Sequence, residues 1–102
     1  MKRIMVRYKV KSDQAGENQR LVEQVYAELQ RNAPAEFRYA TFKQSDGVSF
    51  VHIASTETAS GDSPLPQLSA FKAFQAQIKE RCEEPPVVMD LEEIGSYHFW
   101  GE

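Results

Sequence analysis

Residues 36–56 read Glu36-Phe37-Arg38-Tyr39-Ala40-Thr41-Phe42-Lys43-Gln44-Ser45-Asp46-Gly47-Val48-Ser49-Phe50-Val51-His52-Ile53-Ala54-Ser55-Thr56. Two runs rich in aromatic and β-branched residues, 36–44 and 48–56, flank Gln44-Ser45-Asp46-Gly47. Asp-Gly between such runs predicts a β-hairpin, because glycine supplies the positive φ that a tight turn needs. Both runs carry bulky apolar groups on both parities. Strands look like this when both faces of their sheet are at least partly covered.

On the N-terminal side, residues 2–11 alternate: Ile4, Val6, Tyr8 and Val10 against Arg3, Arg7, Lys9 and Lys11. That period of two predicts a first strand. Met5 breaks the polar side, so its second face is not wholly wet. Leu21, Val22, Val25, Tyr26 and Leu29 recur at helical spacing and predict an amphipathic helix over 14–32, ending before Pro34. Ser12 and Asp13 are candidate N-caps for it.

On the C-terminal side, 57–66 holds Thr, Ser, Gly, Asp and two Pro, and reads as a loop: a lid over a site, or a plain connector. A second helix is expected over 67–83, with Leu68, Phe71, Phe74, Gln75, Ile78 and Cys82 inward. Pro85-Pro86 would stop it. The run from Val87 to Trp100 reads as a last strand, with Gly95 as a bulge or kink.

The order β-α-β-β-α-β predicts an α+β fold: a four-stranded antiparallel sheet with two helices on one face, the ferredoxin-like arrangement. In its usual strand order the first and last strands lie side by side, antiparallel. Arg3, Arg7 and Lys9 share a parity on the first strand; Asp90 and Glu92 share one on the last. Pairing between these two sets is expected to support the contact.

The chain has 102 residues, 41% hydrophobic and 26% charged, which bounds it to one small domain of ordinary globular composition. A net charge of −3 argues against nucleic-acid binding. No apolar run approaches the roughly 20 residues that span a bilayer. The lone Cys82 forms no intramolecular disulfide and suits a reducing compartment. The N-terminus lacks the apolar core of a signal peptide, so a cytoplasmic protein is expected. A chain this short buries only about 60–65% of its unfolded surface, so pairing with a second copy is expected.

The βαββαβ order, the Asp46-Gly47 hairpin, the second-helix run Phe71-Lys72-Ala73-Phe74-Gln75 and a long aromatic-ended last segment resemble the dimeric α/β-barrel superfamily. That group contains the antibiotic-biosynthesis monooxygenase-like domains. The resemblance implies a homodimer in which the helix-free sheet faces pack together. It also implies any of several activities, among them oxygenases, haem-degrading enzymes, isomerases and decarboxylase-like enzymes. Haem-degrading members use a helical His on the iron, with an Asn and a Trp shaping the pocket. This chain departs from that set: His52 and His98 lie on predicted strands, Asn occurs only at 18 and 32, and the only Trp is Trp100. No cofactor is expected, and no Cys/His set has metal-ligand spacing.

His52 is the candidate catalytic residue, a general base among Phe50, Val51 and Ile53; its structural alternative is a hydrogen-bonded core histidine. Tyr8, Tyr26, Tyr39, Phe50, Phe74 and Tyr97 are the candidate ligand-binding residues. A phenol gives an apolar wall with a polar tip, which suits a flat aromatic ligand. Arg38 could steer a carboxylate or enolate, its alternative being a solvated or dimer-crossing arginine. Acidic neighbours at Glu80, Glu83 and Glu84 make Cys82 a poor nucleophile. No phosphate loop or serine elbow is present. Two readings remain: a cofactor-free monooxygenase-like enzyme acting on a small aromatic or polyketide-like molecule, or a non-catalytic homodimer that binds a small ligand or serves as an interaction module.

Overall fold

The computed structural model describes residues 1–100. The hairpin forms as its sequence predicts. Strands β2 (Phe37–Lys43) and β3 (Ser49–Thr56) pair antiparallel, with Gly47 at φ +77 in the turn. The Asp46 carboxylate accepts from the backbone N–H of Val48 and Ser49, at 3.0 and 2.9 Å, and from the Ser49 hydroxyl at 2.6 Å. These bonds hold its carboxyl below the usual carboxylate range.

Strand β1 (Lys2–Val10) pairs with β3 on one side and with β4 (Cys82–Asp90) on the other, giving the antiparallel order β2-β3-β1-β4. Helix α1 (Ala15–Asn32) and the short helices α2 (Ser69–Ala76) and α3 (Ile78–Arg81) lie over one face. This is the ferredoxin-like fold, with first and last strands adjacent. The core packs Val10, Leu21, Val25, Phe50 and Leu68 between sheet and helices.

Three local expectations are corrected. Ser12 and Asp13 do not cap α1; they form a 3-10 turn, and neither makes a side-chain cap bond. The second helix is not continuous over 67–83, since the backbone leaves the helix at Gln77 (φ −132) and separates α2 from α3. The last strand is not 87–100. It starts at Cys82, passes through Pro85-Pro86 and ends at Asp90. Proline lacks the N–H a ladder needs, but β4 is an edge strand, and the ladder shifts register opposite the proline pair, between Arg7 and Lys9.

The expected charge pairing also differs. Asp90 lies opposite Ile4 rather than a basic residue. Lys9 meets Glu84 at 4.0 Å, and Arg3 turns to Glu57 and Glu93. The Arg3 guanidinium also sits 4.1 Å from the centre of the Trp100 ring, and the Leu91 N–H donates to the Arg3 carbonyl at 2.9 Å. Residues 91–100 therefore fold back beside Arg3 instead of extending the sheet. No described helix is long and apolar enough to cross a membrane.

Candidate functional site

On β3 the even-numbered side chains face the helices, so His52 falls under them together with Phe50 and Ala54. Register then brings Val6 of β1 and Thr41 of β2 to either side of His52. Tyr8 and Tyr39 share that face two residues along their own strands. A cavity of about 340 Å³ lies between this face and the helices. Tyr8, Tyr39, His52 and Phe74 line it, together with Phe71 and Gln75 of α2 and aliphatic side chains of β1, β4 and α3. Ser63, Leu65 and Pro66 of the 57–66 loop also border it, so that loop is part of the enclosure. Val88, 62% exposed, lines the cavity as well and marks its mouth at the edge strand.

His52 is 4% exposed and both its ring nitrogens are engaged. Nε2 lies 2.8 Å from the Tyr8 hydroxyl. Nδ1 lies 2.7 Å from the Tyr39 hydroxyl and 2.9 Å from Thr41 Oγ1. Thr41 Oγ1 lies 2.8 Å from the Tyr26 hydroxyl. On the other side, Asn18 Nδ2 donates to Tyr8 at 2.9 Å, and Arg81 Nε donates to Asn18 Oδ1 at 3.3 Å. A continuous chain thus runs Arg81, Asn18, Tyr8, His52, Thr41, Tyr26, with Tyr39 as a branch at His52.

Burial sets the electrostatics. It lowers His52 to about 4, so the imidazole is neutral at pH 7. It raises Tyr8 and Tyr39 well above the ordinary phenol value and pushes Tyr26 up to about 12. The site is a set of neutral hydroxyls around a neutral imidazole. The only charge in the hydrogen-bond chain is Arg81, 5% exposed. No carboxylate forms an ion pair with it among the described residues. Its guanidinium is held by Asn18, by the Phe74 carbonyl oxygen at 2.6 Å, and by the Phe74 ring, 5.3 Å away.

The predicted site residues divide. Tyr8, Tyr39, Phe74 and His52 come together at the cavity. Tyr26 and Phe50 stand outside it and border a separate outer cleft of about 290 Å³ with Thr41. Phe50 stacks on Tyr8 with centroids 5.6 Å apart; Tyr26 stacks on Tyr39 at 5.3 Å. Tyr97 lies elsewhere, 79% exposed, in the cleft around Arg3 and Trp100. It follows the end of β4, so the strand that would have carried it inward is missing. Arg38 pairs with Glu57 at 3.2 Å and donates to the Trp100 carbonyl, away from the cavity. Cys82 is buried, and its thiol is raised by that burial rather than by acidic neighbours. Among the described residues no group of His, Cys, Asp and Glu side chains is placed to hold a metal ion.

Sequence reasoning missed Asn18, Arg81 and Thr41. Asn18 was legible as a member of the stripe 18, 21, 22, 25, where one polar residue shares a helix face with three apolar ones. Thr41 shares parity with Tyr39. Arg81 follows Phe74 and Ile78 at spacings of seven and three, although the break at Gln77 obscures that relation.

No protein-family model and no curated protein matches the sequence. Solved structures do. An antibiotic biosynthesis monooxygenase superposes with a TM-score of 0.74 at 14% identity, over 93% of this chain and 100% of its own. A Nitrosomonas europaea protein provisionally named as such an enzyme gives 0.74 at 14%, over 91% and 89%. A similarly named Caulobacter crescentus protein gives 0.67 at 19%, over 92% and 90%. The chain therefore has the fold of the antibiotic-biosynthesis monooxygenase-like domains. At these identities the likeness concerns the fold alone.

Proposed function

We propose that this chain is a cofactor-free monooxygenase, or a related enzyme, acting on a small, uncharged aromatic or polyketide-like molecule held in the His52 cavity. One observation carries this: a largely apolar cavity in which the hydroxyls of Tyr8 and Tyr39 meet a buried neutral imidazole. A flat apolar ligand matches the walls, and an acidic O–H or C–H on it finds hydroxyl groups there. Both His52 nitrogens are already bonded, so His52 acts through a neighbouring phenol instead of touching the ligand's proton itself. An electron-rich anion formed in this way reacts with dioxygen without an added reductant, because the substrate supplies the electrons. A ring or chain methylene loses both hydrogens and becomes a carbonyl; one oxygen atom enters that carbonyl and the other leaves as water.

A second reading, a non-catalytic ligand-binding dimer, draws on the same site. An imidazole lowered to about 4 is a weak base. Titration with 2-naphthol, followed by NMR, separates binding from none. Shifts are expected at Tyr8, Tyr39, His52 and Phe74, and Tyr39→Phe should weaken binding about fivefold, the effect of one hydrogen bond. Shifts confined to residues outside the cavity would remove the ligand assignment. For the enzyme reading, a substrate turned over equally well by His52→Gln would rule out any role of the imidazole.

We further propose a homodimer through the helix-free sheet face. Phe42, Val87 and Met89 lie on that face, 52, 54 and 36% exposed, beside Val51 and Ile53. Covering them supplies the apolar burial a small domain lacks. Light scattering should give twice the chain mass at micromolar concentration; a monomer there would end the proposal.

A further inference from the structure

The hydrogen-bond chain has a direction, and one residue imposes it. Arg81 offers only donors, so Asn18 must turn its oxygen to the guanidinium and its NH2 to Tyr8. Reversing that amide would place an NH2 against a buried cation. Tyr8 Oη thus accepts from Asn18, and its single proton needs an acceptor. His52 Nε2 at 2.8 Å is the acceptor the structure provides. If Nε2 carried a proton instead, Tyr8 would accept twice and its own O–H would face none of its described partners. Nε2 is therefore the bare nitrogen. In a neutral ring Nδ1 then carries the hydrogen and donates to Tyr39 or Thr41.

We propose that Arg81 and Asn18 are positioning residues that lock His52 in the Nδ1–H tautomer. A buried cation with no carboxylate paired to it among the described residues orients nearby dipoles, and this chain is the row of dipoles it orients. For the function proposed above, on which this consequence rests, the lock defines two sides of the imidazole. A proton arriving through Tyr8 is taken up at Nε2. A proton leaving from Nδ1 passes to the hydroxyls of Tyr39 and Thr41, and Thr41 is bonded to Tyr26 at the outer cleft.

The test needs no ligand, so its failure is separate from failure of the enzyme reading. Ring nitrogens of 15N-histidine-labelled protein are assigned at pH 7.5 through couplings to the ring C–H protons. In the wild type Nε2 should resonate far downfield as the bare nitrogen and Nδ1 upfield as the protonated one. Asn18→Asp keeps the shape, accepts from Arg81 and cannot donate to Tyr8. Tyr8 must then donate to Asp, and accept from Nε2–H. The nitrogen pattern should invert, with Tyr39 and Thr41 free to donate to Nδ1. A merely structural role for Asn18 would leave the pattern alone. If Asn18→Asp does not fold, Tyr8→Phe gives the second reading: the ring is cut off from Asn18 and Arg81, so the tautomers should mix, with Nε2 moving upfield and Nδ1 downfield. A wild-type spectrum with Nε2 protonated, or an uninverted pattern in folded Asn18→Asp, or an Nε2 that stays fully bare in Tyr8→Phe, would overturn the proposal.

Discussion

Phe74→Ala should cost about 3–5 kcal/mol of folding free energy, the usual loss for a large buried aromatic. Phe74 is 5% exposed and joins three parts of the structure. Its ring lies 6.2 Å from Tyr8, 5.6 Å from His52 and 6.0 Å from Phe71, centre to centre. It also covers the Arg81 guanidinium. Truncation leaves a void in the core and opens the cavity wall. It also removes the aromatic face from a cation that has no ion-pair partner among the described residues, and this should place the loss toward the upper end of the range. Small domains hold only about 5–15 kcal/mol in total, so the variant should sit near its unfolding threshold at 37 °C. Phe74→Leu keeps much of the volume and should lose about 1–1.5 kcal/mol. Urea denaturation with matched m-values measures both. A loss below about 1 kcal/mol for the alanine variant would mean that Phe74 does not hold the helices to the sheet.

Alternation and spacing made the strand and helix order readable, because each element carries its own period. Val6-x-Tyr8-x-Val10 is inward on β1 whatever pairs with it, and Asp46-Gly47 makes its turn locally. The C-terminal quarter was less readable for a physical reason. Pro85-Pro86 breaks a helix and is excluded from central strands, yet an edge strand tolerates it, and edge position is a property of the whole sheet. The site was half legible. Tyr8, Tyr39 and His52 stand out as polar-tipped residues on strand faces, but their meeting depends on register, which sets Thr41 and Val6 beside His52. Asn18 and Arg81 come from two different helices and meet only in three dimensions. Tyr97 was misplaced because a segment read as strand folds back beside Arg3.

Acid should weaken the fold well before its carboxylates are protonated, and His52 is the cause. Unfolded, the imidazole titrates near 6.5; folded, burial lowers it to about 4. Between those values the unfolded state binds a proton that the native state refuses. Stability therefore rises with pH across this window, is fully present above 6.5, and is lost as pH falls toward 4. The slope approaches about 1.4 kcal/mol per pH unit, and the loss from pH 7 to 4.5 should be about 2.5 kcal/mol. Glu17, Glu28 and Asp46 are also lowered, by Arg20, by the Ala70 and Ser69 backbone, and by Ser49 with the hairpin backbone. They act with the same sign but start from 4.5 or below, so most of their effect falls beneath the histidine window. His52→Gln keeps a polar side chain and has nothing to titrate. Its stability should be lower at pH 7 and nearly flat down to pH 4.5, so that the two curves converge in acid. A wild-type curve as flat as that of His52→Gln would mean that His52 takes up its proton without strain. The imidazole would then be far more open to water than its two phenolic neighbours allow.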